Sequence, residues 1–109
     1  MSIFSKLTGH RLPTVDVSAA HQRQPGVLLL DVREPAEWAE GHAPNAFHQP
    51  LGRLDPDKLP KVAAVLVICR SGNRSARATR ALIDAGIDAS NVSGGMNAWN
   101  AAALPVTRT

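Results

Sequence analysis

The stretch VLVICRSGNRSARATRALIDAG, residues Val65–Gly86, contains Cys69, the only cysteine in a chain of 109 residues. Its first part, Ala64–Cys69, is apolar throughout rather than alternating, the pattern of a strand covered on both faces. Its second part, NRSARATRALIDAG, reads as a helix. Asn73 is a candidate cap, alanine is abundant, and Gly86 stands at the stop. Ala78, Ala81, Leu82 and Ala85 fall on one side of that helix and form its expected buried face. Between strand and helix lies a short turn containing Gly72, with Arg70, Arg74, Arg77 and Arg80 following the thiol and no acidic residue among them.

Working outward, VLLLDV (Val27–Val32) is a second strand of the same doubly covered kind. Weaker strand signals lie at Thr14–Val17, Ala46–Gln49 and Asn91–Val92. Helices fill the intervals. Ser18 is a candidate N-cap for a short helix ending before Pro25–Gly26. Glu34–Gly41 reads as a short acidic helix with Pro35 in its first turn. Gly94–Ala102 reads as a last helix ending before Leu104–Pro105. Strands alternating with helices over about 100 residues indicate an α/β fold with a mostly parallel sheet. The length suits one domain, read as residues 13–109 after an N-terminal extension at 1–12, in which Phe4 and Leu7 could pack a short turn.

Composition narrows the function. Aromatic residues make up 4% of the chain with no tyrosine, which argues against a stacking platform for nucleic acid. A formal charge of +3 is mild and says little about partners. A single cysteine forms no internal disulfide and suits a reducing, cytoplasmic setting. The N-terminal stretch lacks the apolar core of a signal peptide, and the longest apolar run, Val62–Cys69, is far too short to span a membrane. His10, His21, His42 and His48 show no ligand spacing, so no metal or organic cofactor is expected.

The chemistry therefore centres on Cys69. Ligands of parallel α/β sheets bind beyond the carboxyl ends of the strands, where Cys69 falls. A turn through Gly72 can aim several backbone N–H groups inward, and the following helix adds partial positive charge. Arg70 and Arg74 add full charges. These effects favour thiolate over thiol. The plainer reading, a small buried apolar cysteine, accounts for none of them. Arg77 and Arg80 suit a solvated helix face, with Arg80 able to pair with Asp84.

At this point a resemblance becomes specific. CRSGNRS resembles the active-site loop of the rhodanese (thiosulfate sulfurtransferase) family. LLLDVREPAEWAEGHAPNA resembles the family's Asp-Val-Arg-Glu segment followed by Gly-His-x-Pro-x-Ala, and SGGMNAW its Gly-Gly-x-x-x-Trp segment. The likeness runs from about Thr14 to Pro105. It implies a small single-domain rhodanese with a five-stranded, mostly parallel sheet flanked by helices on both faces. It implies Cys69 as nucleophile, with Arg70, Ser71, Gly72, Asn73, Arg74 and Ser75 as the substrate-binding loop. Asp31, Arg33 and His42 are implied as supporting residues. It also implies thiosulfate or another sulfane-sulfur donor, and as acceptor cyanide, a thiol such as thioredoxin or glutathione, or a sulfur-carrier protein.

The loop from Cys69 to Arg74 has four intervening residues. Related cysteine phosphatases have one more, and a longer loop makes a wider nest suited to phosphate. Here Ser75 stands where their arginine would. A phosphatase or arsenate reductase is thus the first alternative, and an interaction module without turnover the second. The two loop arginines favour a compact dianion over the substrate of mercaptopyruvate sulfurtransferases, whose loops are mostly uncharged. Ala43 and Asn45 depart from common family residues. Glu37 and Glu40 read as a solvated face, Arg33 as a local partner for Glu34, and Trp38 and Trp99 as core anchors.

Overall fold

The computed structural model describes residues 11–109; Phe4 and Leu7 lie outside the described residues. The strands are β1 (Thr14–Val15), β2 (Val27–Asp31), β3 (Phe47–His48), β4 (Ala64–Ile68) and β5 (Ala89–Val92). They form one sheet in the order β1-β5-β4-β2-β3. Every pairing is parallel, so the sheet is wholly rather than mostly so. The two continuous apolar runs, β2 and β4, are adjacent and in register from Val27 opposite Ala64 to Asp31 opposite Ile68. Their burial on both faces follows from this central position.

Side-chain alternation sorts the core into two layers. Leu30, Val65 and Val67 pack with Ala78 and Leu82 of α3 (Asn73–Asp84). Leu29, Leu66 and Ile68 pack on the other face with Ala20 of α1 (Val17–His21) and with Met96 and Trp99 of α4 (Gly95–Ala101). Each fully buried leucine, isoleucine or valine among them contributes about 1.5–3 kcal/mol. Cys69 shares the parity of Val65 and Val67, and lies in the layer against α3.

Several local expectations are corrected. Asp16, not Ser18, caps α1, its carboxylate accepting from the Ala19 amide at 2.8 Å. Gly72, in the left-handed region at φ +115°, takes the cap position of α3 in place of Asn73. The buried face of α3 is Ser75, Ala78, Thr79 and Leu82, whereas Ala81 and Ala85 are exposed. The two hydroxyls survive burial because both are bonded: Thr79 Oγ1 donates to the Ser75 carbonyl at 2.7 Å, and Ser75 Oγ meets the thiol. The acidic helix is α2 (Pro35–Glu40), and two 3₁₀ turns at Leu51–Arg53 and Pro56–Lys58 join β3 to β4. No described helix is long and apolar enough to cross a membrane.

Candidate active site

The carboxyl ends of β2 and β4 place Asp31 and Cys69 at the same sheet edge. Cys69 is 1% exposed. Its Sγ receives the Gly72 amide at 3.1 Å and lies 3.2 Å from Ser75 Oγ. Burial in apolar surroundings is the largest single influence and pushes the thiol up. The Ser75 hydroxyl and the backbone N–H groups of Ser75, Gly72 and Ser71 act together against it, and the net direction is down. The downward direction comes from dipoles already in place around the sulfur rather than from a neighbouring base.

The loop keeps that arrangement because its carbonyls are occupied elsewhere. Cys69 O accepts from the Met96 amide at 2.8 Å, and Arg70 O from the Asn97 amide at 3.0 Å. With the carbonyls turned to α4, loop amides can face the sulfur. Such close docking requires Gly95. A Cβ there would fall on Cys69 O and reach Arg70 C and O at 2.6 Å, with the backbone at φ +55°. The segment SGGMNAW thus serves the loop by contact: Gly95 admits it, Met96 and Asn97 bond it, and buried Trp99 anchors the helix. Asn91 Nδ2 donates to Gly72 O at 3.3 Å, a support that sequence reading did not single out.

The two loop arginines have different surroundings. Arg70 is exposed, and among the described residues no carboxylate pairs with it. Arg74 directs its fork at Glu37, with Nη1–Oε1 2.6 Å and Nη2–Oε2 2.9 Å. This bidentate bond is the main cause that lowers the Glu37 carboxyl from its ordinary 4.5 to about 2. It also raises Arg74, to which the Cys69 charge adds. Glu37 is thus not a solvated residue but the partner that fixes Arg74 at the loop's end. Its signal was absent from the sequence, since the two residues meet only through the fold. Asn73 and Ser71 are exposed on the loop, and Ser75 is buried beneath the sulfur.

Asp31 and Arg33 form a buried pair. Arg33 Nε and Nη2 donate to the Asp31 carboxylate at 2.8–3.1 Å, so Arg33 pairs with Asp31 rather than Glu34. The same guanidinium donates to the carbonyls of Glu37 at 3.3 Å and Gly41 at 2.8 Å. It thereby ties the end of β2 to α2, which carries Glu37.

His42 is 2% exposed. Its ring nitrogens lie 2.8 Å from Trp38 O and Thr109 O, and its ring stacks on Trp38 at 3.4 Å. Trp38 is a half-buried plate between His42 and His48, not a core anchor like Trp99. His42 and Thr107 also exchange backbone hydrogen bonds at 2.8 Å, binding residues 105–109 as a strap along the turn after α2. Arg80 makes no ion pair with Asp84 or any other described residue.

A thiol buried at the end of a central parallel strand, under a tight loop of amides, defines a class of small cysteine-centred α/β domains. Comparisons with known proteins resolve that class. The profile of the Rhodanese-like domain matches residues 14–102, and the chain belongs to that family. It is 38% identical over 91 residues to "Uncharacterized protein slr1261" of Synechocystis, covering 81% of this chain but 51% of that protein. It is 42% identical over 82 residues to "Putative sulfurtransferase YtwF" of Bacillus subtilis, covering 72% of this chain and 79% of that one. The chain thus spans about half the length of the first relative and about four fifths of the second. Among solved structures, a rhodanese-related protein from Thermoplasma volcanium superposes with a TM-score of 0.82 at 29% identity, covering 89% and 99% of the two chains.

Proposed function

We propose that this protein is a sulfurtransferase that moves the outer sulfur of thiosulfate to a thiol acceptor through a persulfide on Cys69. The observation that carries this reading is the Cys69 sulfur itself, lowered in pKa and bonded by Gly72 N–H and the Ser75 hydroxyl. The relative named as a sulfurtransferase supports it. So does the solved structure of a thiosulfate sulfurtransferase from Pseudomonas aeruginosa, similar at TM-score 0.76 and 26% identity over 89% of this chain and 19% of that one.

In the first half-reaction the Cys69 thiolate attacks the outer sulfur of thiosulfate. An Sγ–S bond forms, the S–S bond of the donor breaks, and sulfite leaves with the electron pair. The exposed Arg70 guanidinium, which pairs with no carboxylate among the described residues, is the cation for the donor's oxygens. Arg74, held by Glu37, contributes its charge to the thiolate rather than its fork to the donor. The loop amides then hold the persulfide until an acceptor thiol takes its outer sulfur. The cycle is covalent and ping-pong. Acceptors compatible with it are a small thiol such as glutathione, thioredoxin, or a sulfur-carrier protein.

Intact mass before and after incubation with thiosulfate tests the reading. The parent should gain one sulfur atom, reversibly with a thiol, and Cys69→Ser should gain none. An unchanged parent mass, together with Cys69-dependent release of phosphate from an aryl phosphate, would move the assignment to phosphatase chemistry.

A further inference from the structure

Asn91 lies within β5, and its backbone is fixed from both sides. It stands opposite Thr14 of β1 and Val67 of β4, and its amide donates to Pro13 O at 2.8 Å. Val67 and Cys69 belong to the layer against α3. The Asn91 side chain reaches the start of that helix, where Nδ2 donates to Gly72 O at 3.3 Å. The orientation of the amide is forced. Turned by half a rotation, it would set Oδ1 against the Gly72 carbonyl, two acceptors face to face. The bond leaves Asn91 Oδ1 buried with no hydrogen-bond partner, the one such side-chain oxygen or nitrogen among the described residues. A buried acceptor without a partner costs stability, and an apolar side chain of similar shape would avoid that cost. Packing therefore does not account for an asparagine at this position, and an unsatisfied group beside a reactive one points to a task in the site.

The task is visible at Gly72. Its N–H reaches Cys69 Sγ at 3.1 Å from a backbone at φ +115°, a conformation that glycine adopts freely and leaves as freely. The Gly72 carbonyl also accepts from the Ala76 amide at 3.1 Å, but that bond lies within the start of α3 and moves with the helix. Asn91 adds a bond from the sheet, from the strand paired with the one that ends at Cys69. We propose that Asn91 is a positioning residue for the chemistry of Cys69: by holding Gly72 O from β5, it keeps the Gly72 N–H on the sulfur. Asn91 makes no hydrogen bond to the sulfur and acts through Gly72, whose amide is one of the dipoles that favour the thiolate. The inference rests on the sulfur-transfer reading for the reaction served. The unpartnered Oδ1 is the consequence of turning Nδ2 to the loop.

Alkylation of Cys69 by iodoacetamide, followed by intact mass across pH, tests this without any sulfur donor. Asn91→Leu removes the amide donor and the unpartnered acceptor together, while Gly72 O keeps its bond from Ala76. The melting temperature should be unchanged or higher. Alkylation at a fixed pH below the thiol's midpoint should fall about three- to tenfold, part of the worth of one hydrogen bond to a charged group. The Gly72 amide proton signal should follow the ionisation of Cys69 in the parent, and only about half as far in the variant. Asn91→Ala, which adds no volume, should give the same pH profile and replaces the leucine variant if that one does not fold. A parental alkylation profile with a parental Gly72 signal in the folded variant would overturn the assignment. So would a lower melting temperature with an unchanged alkylation profile, which would make Asn91 a purely structural residue. Failure of the parent to gain sulfur from thiosulfate, with the alkylation difference intact, would instead overturn the sulfur-transfer reading and leave the hold of Asn91 on Gly72 standing.

Discussion

Two cavities of similar volume open at opposite edges of the sheet. One, about 440 Å³, lies where β2 and β4 end, beside the Cys69 loop. The other, about 420 Å³, lies where β2 and β3 begin and is lined by His21, Arg23, Asn45 and Trp99. Both hold a cationic side chain, so neither volume nor the presence of a cation distinguishes them. Strand direction does. At the carboxyl edge the chain enters α3, and N–H groups converge on one sulfur. At the amino edge α1 ends and presents carbonyls, and Arg23 Nη1 donates to Ala20 O at 3.0 Å. A carbonyl-rich helix end satisfies a cation and disfavours an anion. The same sheet thus makes one edge suited to a thiolate and the other not.

The deepest break in this contrast should come from Gly95→Ala. The added methyl strikes Cys69 O and Arg70, so the loop must leave α4 and its amides must leave the sulfur. Sulfur transfer should fall by about 100-fold or more, and the melting temperature by roughly 10 °C, measured by steady-state kinetics and thermal denaturation. Parental activity in this variant would show that α4 does not organise the loop.

Arg70→Ala should come next. Loss of a charged contact to the donor should lower kcat/KM for thiosulfate by about 10- to 100-fold with unchanged thermal stability. A loss of stability as large as the loss of activity would assign Arg70 to structure.

Glu37→Gln sharpens the distinction between the two arginines through pH. The folded protein holds the Glu37 proton less tightly than the unfolded chain, at about 2 against 4.5. Protonation therefore favours unfolding. The stabilisation is fully present above about 4.5 and is lost as pH falls toward 2. Denaturant titrations across that window should show a steeper loss in the parent than in Glu37→Gln. Identical pH slopes would remove the Glu37–Arg74 bond from the account.

The smallest effect belongs to the other edge. Arg23→Ala should leave kcat/KM for thiosulfate within about twofold of the parent, at a stability cost of about 1 kcal/mol or less for the lost contact at the end of α1. A tenfold kinetic loss would mean that the two edges communicate.

The features most legible in the sequence were those whose cause is local. β2 and β4 are the central strands, so their doubly apolar runs reported their position directly. β1 and β3 are two-residue edge strands, and so short a segment carries almost no periodic signal. The Cys69–Gly72 turn was visible because its residue types limit what the backbone can do. Glu37 was not, since its partner is 37 residues away and an exposed acid on a short helix has the same pattern with or without one. The buried face of α3 was misjudged for a related reason. Hydropathy assigns serine and threonine outward, while Ser75 and Thr79 satisfy their hydroxyls inside. The strap at 105–109 has no pattern of its own, and its course is set by pairing with His42.

The bonds from Met96 and Asn97 to the loop carbonyls have a further consequence, in time rather than geometry. These two amides can exchange hydrogen with solvent only when α4 lifts from the loop, and in that moment the amides around the sulfur lose their alignment. Slow exchange at Met96 and Asn97 and the persistence of the hydrogen bonds to Sγ would then report one and the same opening event. The lifetime of the cage of amides around the sulfur is set by the docking of a helix that supplies no group to the sulfur itself.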